Sequence, residues 1–306
     1  MQLTIPPYLQ KGDTIAIAAP ARSISMEQMQ KGIDYIESKG FKIYLHPLIF
    51  EIENQMAGNE AIRAELFNEL LRNTEIKAIW CARGGYGSAK MIDLIDFNLL
   101  AQNPKWICGF SDVTVLLNHI ISNCNMACLH SSMPIFMNEK EGLEYIEVCN
   151  AYDSMLAFLE GNSYGFDFTK NEKINNTDFE GLVIGGNLSV LMSIIGSKSE
   201  TNWKDKILFI EDLDEYYYHI DRMMLALKRS GKLSHIKALL VGSFISMHDH
   251  TIPFGSNVKQ IVTNYCKDYN YPVIFDINVG HHLQNLALPF GINAKYTNGN
   301  LTFVTS

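Results

Sequence analysis

The chain has no apolar run approaching the roughly 20 residues needed to cross a bilayer, and no cluster of Lys and Arg. The first absence argues against a membrane-spanning helix. The second, with 25 basic against 33 acidic residues and a formal net charge of −8, argues against a nucleic-acid partner, since phosphate backbones need clustered positive charge. The opening "MQLTIPPYLQKGDTIAIAAP" lacks a basic start followed by an apolar core, so no secretory signal is read and a cytoplasmic location is expected. Cysteine is sparse: Cys81, Cys108, Cys124, Cys128, Cys149 and Cys266 are scattered, mostly in apolar segments. Cys124 and Cys128 lie four apart, but no second pair completes a zinc set, so reduced, buried thiols are expected. Internal repeats and low-complexity tracts are missing as well.

What is present suits a soluble protein of two domains. The 306 residues are 47% hydrophobic and 19% charged. The first half alternates strand and helix signals. "DTIAIAAP" (13–20), "FKIYLHP" (41–47), "IKAIWCA" (76–82) and "PKWICGF" (104–110) read as buried strands. Between and after them come helical patterns at 25–40, 59–73 and 111–124, and a glycine-rich turn, "RGGYGSAKMIDLI", that feeds another. Such alternation implies an α/β fold with a parallel sheet covered on both faces. Residues 139–160 read as an acidic helix, and the polar stretch 162–179 is expected to be a linker between a 1–161 domain and a smaller, mixed 180–306 domain.

Two strand–turn–helix corners could carry chemistry, since ligand sites of open α/β sheets lie at the carboxyl ends of the strands. In "CGFSDVT" (108–114), Ser111 sits between a buried strand and a helix. Its hydroxyl is either a helix cap or a nucleophile, with the Asp112 amide aimed at a developing negative charge; the segment matches only the first half of Gly-x-Ser-x-Gly. In "ARGGYGS" (82–88), several amides could face an anion, yet the P-loop pattern and the dinucleotide spacing are both missing, and a plain turn fits equally well. A reactive serine needs a base and an orienting carboxylate. His281 follows Gly280 at an expected strand end, and Glu211 ends the apolar strand "ILFI"; a core histidine and an acidic turn remain open readings for them. "MHDH" (247–250) offers two histidines and an aspartate, read by default as a polar loop rather than a metal pair. The "YYYH" run (216–219) reads as a packed element edge or as a stacking wall.

Together these segments resemble the LD-carboxypeptidase family, the murein tetrapeptide carboxypeptidases and related microcin C immunity peptidases. The resemblance rests on "KGDTIAIAAPA", "AGNEAIRAELFNELLRNTEIKAIWCARGGYGSAKMIDLIDF", "GFSDVT", "GLVIGGNLSVL", "LFIEDLDEYYYHIDRMM" and "VGHHLQNLALPFG", in order along nearly the whole chain. It implies a Rossmann-like N-terminal domain with a smaller β-rich C-terminal domain and an active site in the cleft between them. It also implies a Ser–Glu–His triad falling on Ser111, Glu211 and His281, with Asn285 four residues after the histidine and His282 out of register. The oxyanion amides would be those of Asp112 and Gly85. Candidate substrate-binding residues are Arg83, Gly84, Tyr86, His130 and Asn187. The family usually shows His-Gly-Pro where this chain has His130-Ser131-Ser132, a departure that bears on the pocket wall and not on the triad. The implied activity is release of the terminal D-alanine from murein tetrapeptides during peptidoglycan recycling, by a cytoplasmic homodimer using no metal or organic cofactor. Two alternatives stand beside it: a microcin-type peptidase cleaving peptidyl-nucleotide conjugates, and a non-catalytic protein binding phosphate or another anion.

Overall fold

The computed structural model describes residues 3–304, so the first two residues and the last two of the closing segment 295–306 lie outside it. The first half follows the alternation read from the sequence. Its elements are β1 (Thr14–Ala18), α1 (Met26–Ser38), β2 (Lys42–Leu45), α2 (Glu60–Arg72), β3 (Ile76–Cys81), α3 (Ser88–Met91), α4 (Asn98–Gln102), β4 (Trp106–Gly109), α5 (Thr114–His119), β5 (Cys128–His130) and α6 (Gly142–Leu159). The helix expected over 111–124 is composite: a 3-10 turn at Ser111–Val113, then α5, then a π turn at Ile120–Cys124. Local chemistry sets the helix starts. Ser25 and Gln28 form a reciprocal capping box on α1, and Asn59 accepts from the Ile62 amide to start α2.

The second half contains β6 (Gly165–Asp167), β7 (Lys173–Ile174), β8 (Phe179–Asn187), α7 (Leu188–Ile194), β9 (Ile207–Leu213), α8 (Tyr217–Arg229), β10 (Ala238–Ile245), α9 (Val258–Cys266), β11 (Val273–Ile274), β12 (Leu288–Phe290), β13 (Asn293–Thr297) and β14 (Asn300–Val304). The molecule is two-domain α/β. One six-stranded sheet runs β12-β5-β4-β3-β1-β2, and an eight-stranded sheet runs β6-β14-β13-β8-β9-β10-β11-β7. The first is parallel apart from β12, which pairs antiparallel with β5. The second has a parallel centre, β8-β9-β10-β11, with antiparallel strands at its two edges.

Two expectations need correction. The stretch 162–179 does more than link, because β6 pairs with β14 and β7 with β11 at opposite edges of the second sheet. Its polar composition is that of exposed edge strands, which sequence alone does not separate from a linker. The run 271–282 is a strand only at Val273–Ile274; beyond it the chain follows β10 irregularly through Ile277 N–H to Val241 O and Ser243 N–H to Val279 O. The chain also crosses back, since β12 from the second half completes the edge of the first sheet.

Period-two alternation in the first sheet sends side chains into two cores. Ala78 and Trp80 of β3 join Ile15, Ile17 and Trp106 under α1 and α6. Ile79 and Cys81 face the other way, with Ile107, Leu116 and Phe67, and that core continues without a break into Ile184, Phe209 and Leu240 of the second sheet. The lobes therefore share one apolar interior. Across it α5 is joined to β8 by hydrogen bonds from Asn187 N–H to Thr114 Oγ1 (3.1 Å) and from Asn118 Nδ2 to Gly185 O (2.9 Å), and to the segment before β9 by Thr201 Oγ1 donating to Asn118 Oδ1 (2.7 Å).

Gly186 makes that approach possible. Its φ is +132°, and a Cβ there would lie 2.5 Å from Thr114 Oγ1 and 2.6 Å from Thr114 Cγ2. Gly186→Ala is expected to destabilise the fold by about 1–3 kcal/mol through overpacking, more with the backbone strain, and to push Thr114 and the residues before it away from the second sheet. A urea unfolding curve with an unchanged midpoint would contradict this close contact.

Candidate active site

The first sheet runs β2-β1-β3-β4-β5, so chain direction across it reverses between β1 and β3. The crevice outside the carboxyl ends at such a point is where open α/β sheets bind ligands. Here the loops after β1, β3 and β4 meet loops of the second lobe around a cavity of about 480 Å3 whose lining includes Arg22, Arg83, Gly84, Gly85, Ser111 and His281.

Ser111 has φ +64°, a left-handed conformation that a non-glycine residue holds only under constraint. The strained corner presents its side chain toward Gly84, where an added Cβ would meet Ser111 Cβ at 2.8 Å and Oγ at 2.9 Å. Ser111 makes no side-chain cap on the helix it precedes, so the capping reading does not describe it. The Asp112 carboxylate turns inward and accepts from the Ser88 amide (2.8 Å), which ties this corner to the glycine loop.

Glu211 and His281 approach from the second lobe. Glu211, on β9, is 0% exposed and His281 8% exposed. Glu211 Oε2 accepts from the His281 Nδ1 side of the ring at 2.6 Å and from the His281 backbone amide at 3.2 Å. Gly280 permits this: its φ is +107°, and a Cβ there would stand 2.7 Å from Glu211 Cβ. Burial works to raise the Glu211 pKa, but the imidazole, its hydrogen bond and the backbone amide outweigh it and hold the carboxyl below the ordinary range. With Nδ1–H donated to the carboxylate, Nε2 is the nitrogen left free to take a proton. Among the described residues Glu211 Oε1 has no hydrogen-bond partner, so the carboxylate charge is not spread over other donors and acts chiefly on the ring. Ser111 and His281 line the same cavity, bridged by Phe110, whose ring centroid lies 4.7 Å from that of His281. Among the described residues no hydrogen bond joins the hydroxyl to the ring.

The remaining candidates are spread more widely. Gly84, Gly85 and Arg83 line the cavity. Tyr86 is 51% exposed and lines a neighbouring groove with Met56 and Lys90. His130 is wholly buried behind the site, against Phe110, Phe209 and Phe290, and burial lowers its pKa to about 4, with the charge of Glu211 working against the shift. It is a neutral ring packed under the pair rather than part of the cavity wall. Asn187 is buried beside Glu211 in register and donates to Asp212 Oδ1 (2.8 Å). His282 faces a different cavity, beside Asn278 and Ser243.

Two contributors, Arg63 and Arg22, were not singled out from the sequence. Arg63, buried on α2, donates to Pro20 O, to Gly87 O (2.9 Å) and to Gly58 O (3.3 Å), holding together the loops after β1 and β3. Asp212 accepts from Asn187, from the Ser189 amide (2.8 Å) and from the Leu213 amide (2.9 Å); burial and the adjacent Glu211 charge raise its pKa to about 6. Arg22, two residues past Pro20 in the loop after β1, was legible only as one of the chain's six arginines. His248 pairs with Asp214 (2.5 Å) and His219 with Glu215, while His250 stacks on Tyr216 with centroids 4.7 Å apart. Among the described residues no group of three or more His, Cys, Asp or Glu side chains is arranged to hold a metal, and no helix is long and apolar enough to cross a membrane.

Residues 15–131 match the family model for the LD-carboxypeptidase N-terminal domain, and residues 180–296 match that for its C-terminal domain. The chain belongs to the LD-carboxypeptidase family. It is a serine-type carboxypeptidase, which sets aside the non-catalytic reading. It is 29% identical over 300 residues to a Bacillus subtilis protein named "Probable murein peptide carboxypeptidase", covering 98% of this chain and 93% of the other. The murein tetrapeptide carboxypeptidase of Pseudomonas aeruginosa is 26% identical over 288 residues, with 92% of each chain covered. Escherichia coli MccF, a microcin self-immunity protein, is 27% identical over 323 residues, with 93% of this chain and 90% of its own covered. A solved structure of MccF with glutamyl sulfamoyl guanosine superimposes with a TM-score of 0.89 at 22% identity over 98% of both chains, a likeness of fold.

Two outcomes are expected from this geometry. Ser111→Gly should be at least as stable to urea as Ser111→Ala, despite a usual glycine cost of about 1 kcal/mol, because glycine adopts the left-handed corner without strain. A clearly less stable glycine variant would mean the corner is not strained. The second concerns acid. Glu211 has a lowered folded-state pKa, so its stabilisation is complete above the unfolded value of about 4.5 and is lost as pH falls through the lower folded value. Glu211→Gln should therefore flatten the loss of stability below about pH 4.5, read by thermal melts across the acid range.

Proposed function

We propose that this enzyme removes the terminal D-alanine from murein tetrapeptides, cutting between the L-centre of the diamino acid and D-alanine, in a cytoplasmic, homodimeric role in peptidoglycan recycling. The observation that carries the reading is the strained serine sharing one cavity with a buried Glu–His pair, in a family whose relatives bear murein peptidase names.

In this mechanism His281 Nε2 takes the proton from Ser111 Oγ as the oxygen attacks the scissile carbonyl. Glu211 fixes the ring tautomer and stabilises the imidazolium. The amides of Asp112 and Gly85 hold the oxyanion, each worth about 3–4 kcal/mol in comparable sites. His281 then protonates the departing D-alanine nitrogen, and water, activated by the same ring, releases the acyl-enzyme. Closing of the Ser111–His281 hydrogen bond on substrate binding fits a resting site in which the two groups face one cavity unbonded.

A peptidyl-nucleotide substrate is the second reading, favoured by the stacked Tyr216 and His250 rings and by Tyr218 beside them, close to the cavity-lining Asp214 and Glu215. Incubation with each substrate separates the two. Free D-alanine from the tetrapeptide, undiminished by EDTA, is the expected result; cleavage of the conjugate alone would replace the first reading with the second. Ser111→Ala should lower kcat/KM by at least about 10⁴-fold, and Glu211→Gln by about 10³–10⁴-fold with the fold intact. Near-normal turnover in Glu211→Gln would transfer the orienting role to Asp212, Asp214 or Glu215.

A further inference from the structure

The cavity walls carry unequal charge. On the second-lobe side, the carboxylates of Asp214 and Glu215 are each hydrogen-bonded to an imidazole, of His248 and His219. On the first-lobe side stand Arg22 and Arg83, and among the described residues neither forms an ion pair with a carboxylate. Arg83 spends one nitrogen on Ser23 O (3.0 Å), while its buried Nε has no partner. Burial and then the charge of Arg22 hold its pKa below the ordinary value, so the two guanidinium groups repel one another. Arg63 keeps the loops that carry them together at that electrostatic cost. An exposed Arg22 beside a partly buried Arg83, with no carboxylate in direct contact with either among the described residues, is an arrangement that an anionic ligand group completes.

Position narrows the anion. Arg22 lies directly over Gly85: a Cβ on that glycine would come within 2.7 Å of Arg22 Cδ and 2.8 Å of its Nε. Gly85 in turn adjoins Gly84, which touches Ser111. One peptide residue spans about 3.3–3.6 Å, so a substrate whose scissile carbonyl rests at Ser111 brings the carboxylate of a single remaining residue to the neighbourhood of Arg22. A longer leaving segment would carry its terminal charge past the pair.

We infer that Arg22, supported by Arg83, binds the terminal α-carboxylate of the leaving amino acid and thereby restricts the enzyme to removing one residue. Arg22 touches the substrate; Arg83 adds charge and shapes the loop from below. The inference deepens the function proposed above and rests on it for the identity of the leaving residue.

The test compares a murein tetrapeptide ending in D-alanine with the same peptide ending in D-alaninamide, which removes the charge and keeps the shape. The wild-type enzyme is expected to prefer the acid by about 10–100-fold in kcat/KM. Arg22→Gln should lower turnover of the acid by a similar factor and leave the amide almost unchanged, so that the preference collapses; Arg83→Gln should give a smaller loss of the same kind. Equal cleavage of acid and amide by the wild type, or an undiminished preference in Arg22→Gln, would overturn the assignment. Should the wild type cleave neither peptide, the proposed substrate fails, and the clamp is judged by calorimetry with N-acetyl-D-alanine and its amide. Tighter binding of the acid that is lost in Arg22→Gln sustains the clamp, and equal affinity rejects it.

Discussion

The site exists because a serine-bearing helix start can lie against a strand of another lobe with no side chain between them. Gly186 leaves that space, Thr114 fills it, and the Asn187 amide closes it with a hydrogen bond to the threonine hydroxyl. Asn187 then stands beside Glu211 in the sheet register. The path from Ser111 to Glu211 is thus three residues of helix start, one hydrogen bond and one strand pairing. Each buried bond contributes only about 0.5–1.5 kcal/mol net, but breaking one would leave an expensive unpaired group, so the lobes hold one relative position. The proposed acyl transfer requires such tolerances, because a misplacement near 1 Å can cost two orders of magnitude in rate.

The electrostatics follow from strand geometry. Successive residues of β9 point to opposite faces, so the adjacent carboxylates Glu211 and Asp212 meet different surroundings. Glu211 faces an imidazole and is held ionised, while burial and the adjacent Glu211 charge raise the Asp212 pKa against the opposing pull of the amides it accepts from. In the proposed mechanism the first steadies the base, and the second fixes Asn187 and the turn into α7. Beneath them His130 is kept neutral by burial, so no second cation competes for Glu211 at neutral pH.

Much of this was legible in advance. Continuous apolar strands, capped helices and the serine and glycine corners announced a covered parallel sheet and the loops at its carboxyl end. Ser111, Glu211 and His281 were singled out because their residue types follow strand-ending patterns and match a family order. Edge strands were less visible: β6 and β7 are three and two residues long, too short for periodicity, and their polarity is that of loops. Arg22 and Arg63 carried no local signal, since an arginine in a loop or on a helix reads as a solvated charge until its neighbours are known.

The sequence by itself determined most strands and helices of the first half, where each chemical group sits along them, and that the chain is anionic overall, because these depend on local periodicity, capping and composition. Only the tertiary structure decided that β12 returns to the first sheet, that His130 lies under the site instead of in its wall, and that Arg22 stands over the glycine loop beside Arg83, neither in an ion pair among the described residues. Those are outcomes of long-range packing, in which burial and the nearness of distant charges set what each side chain can do.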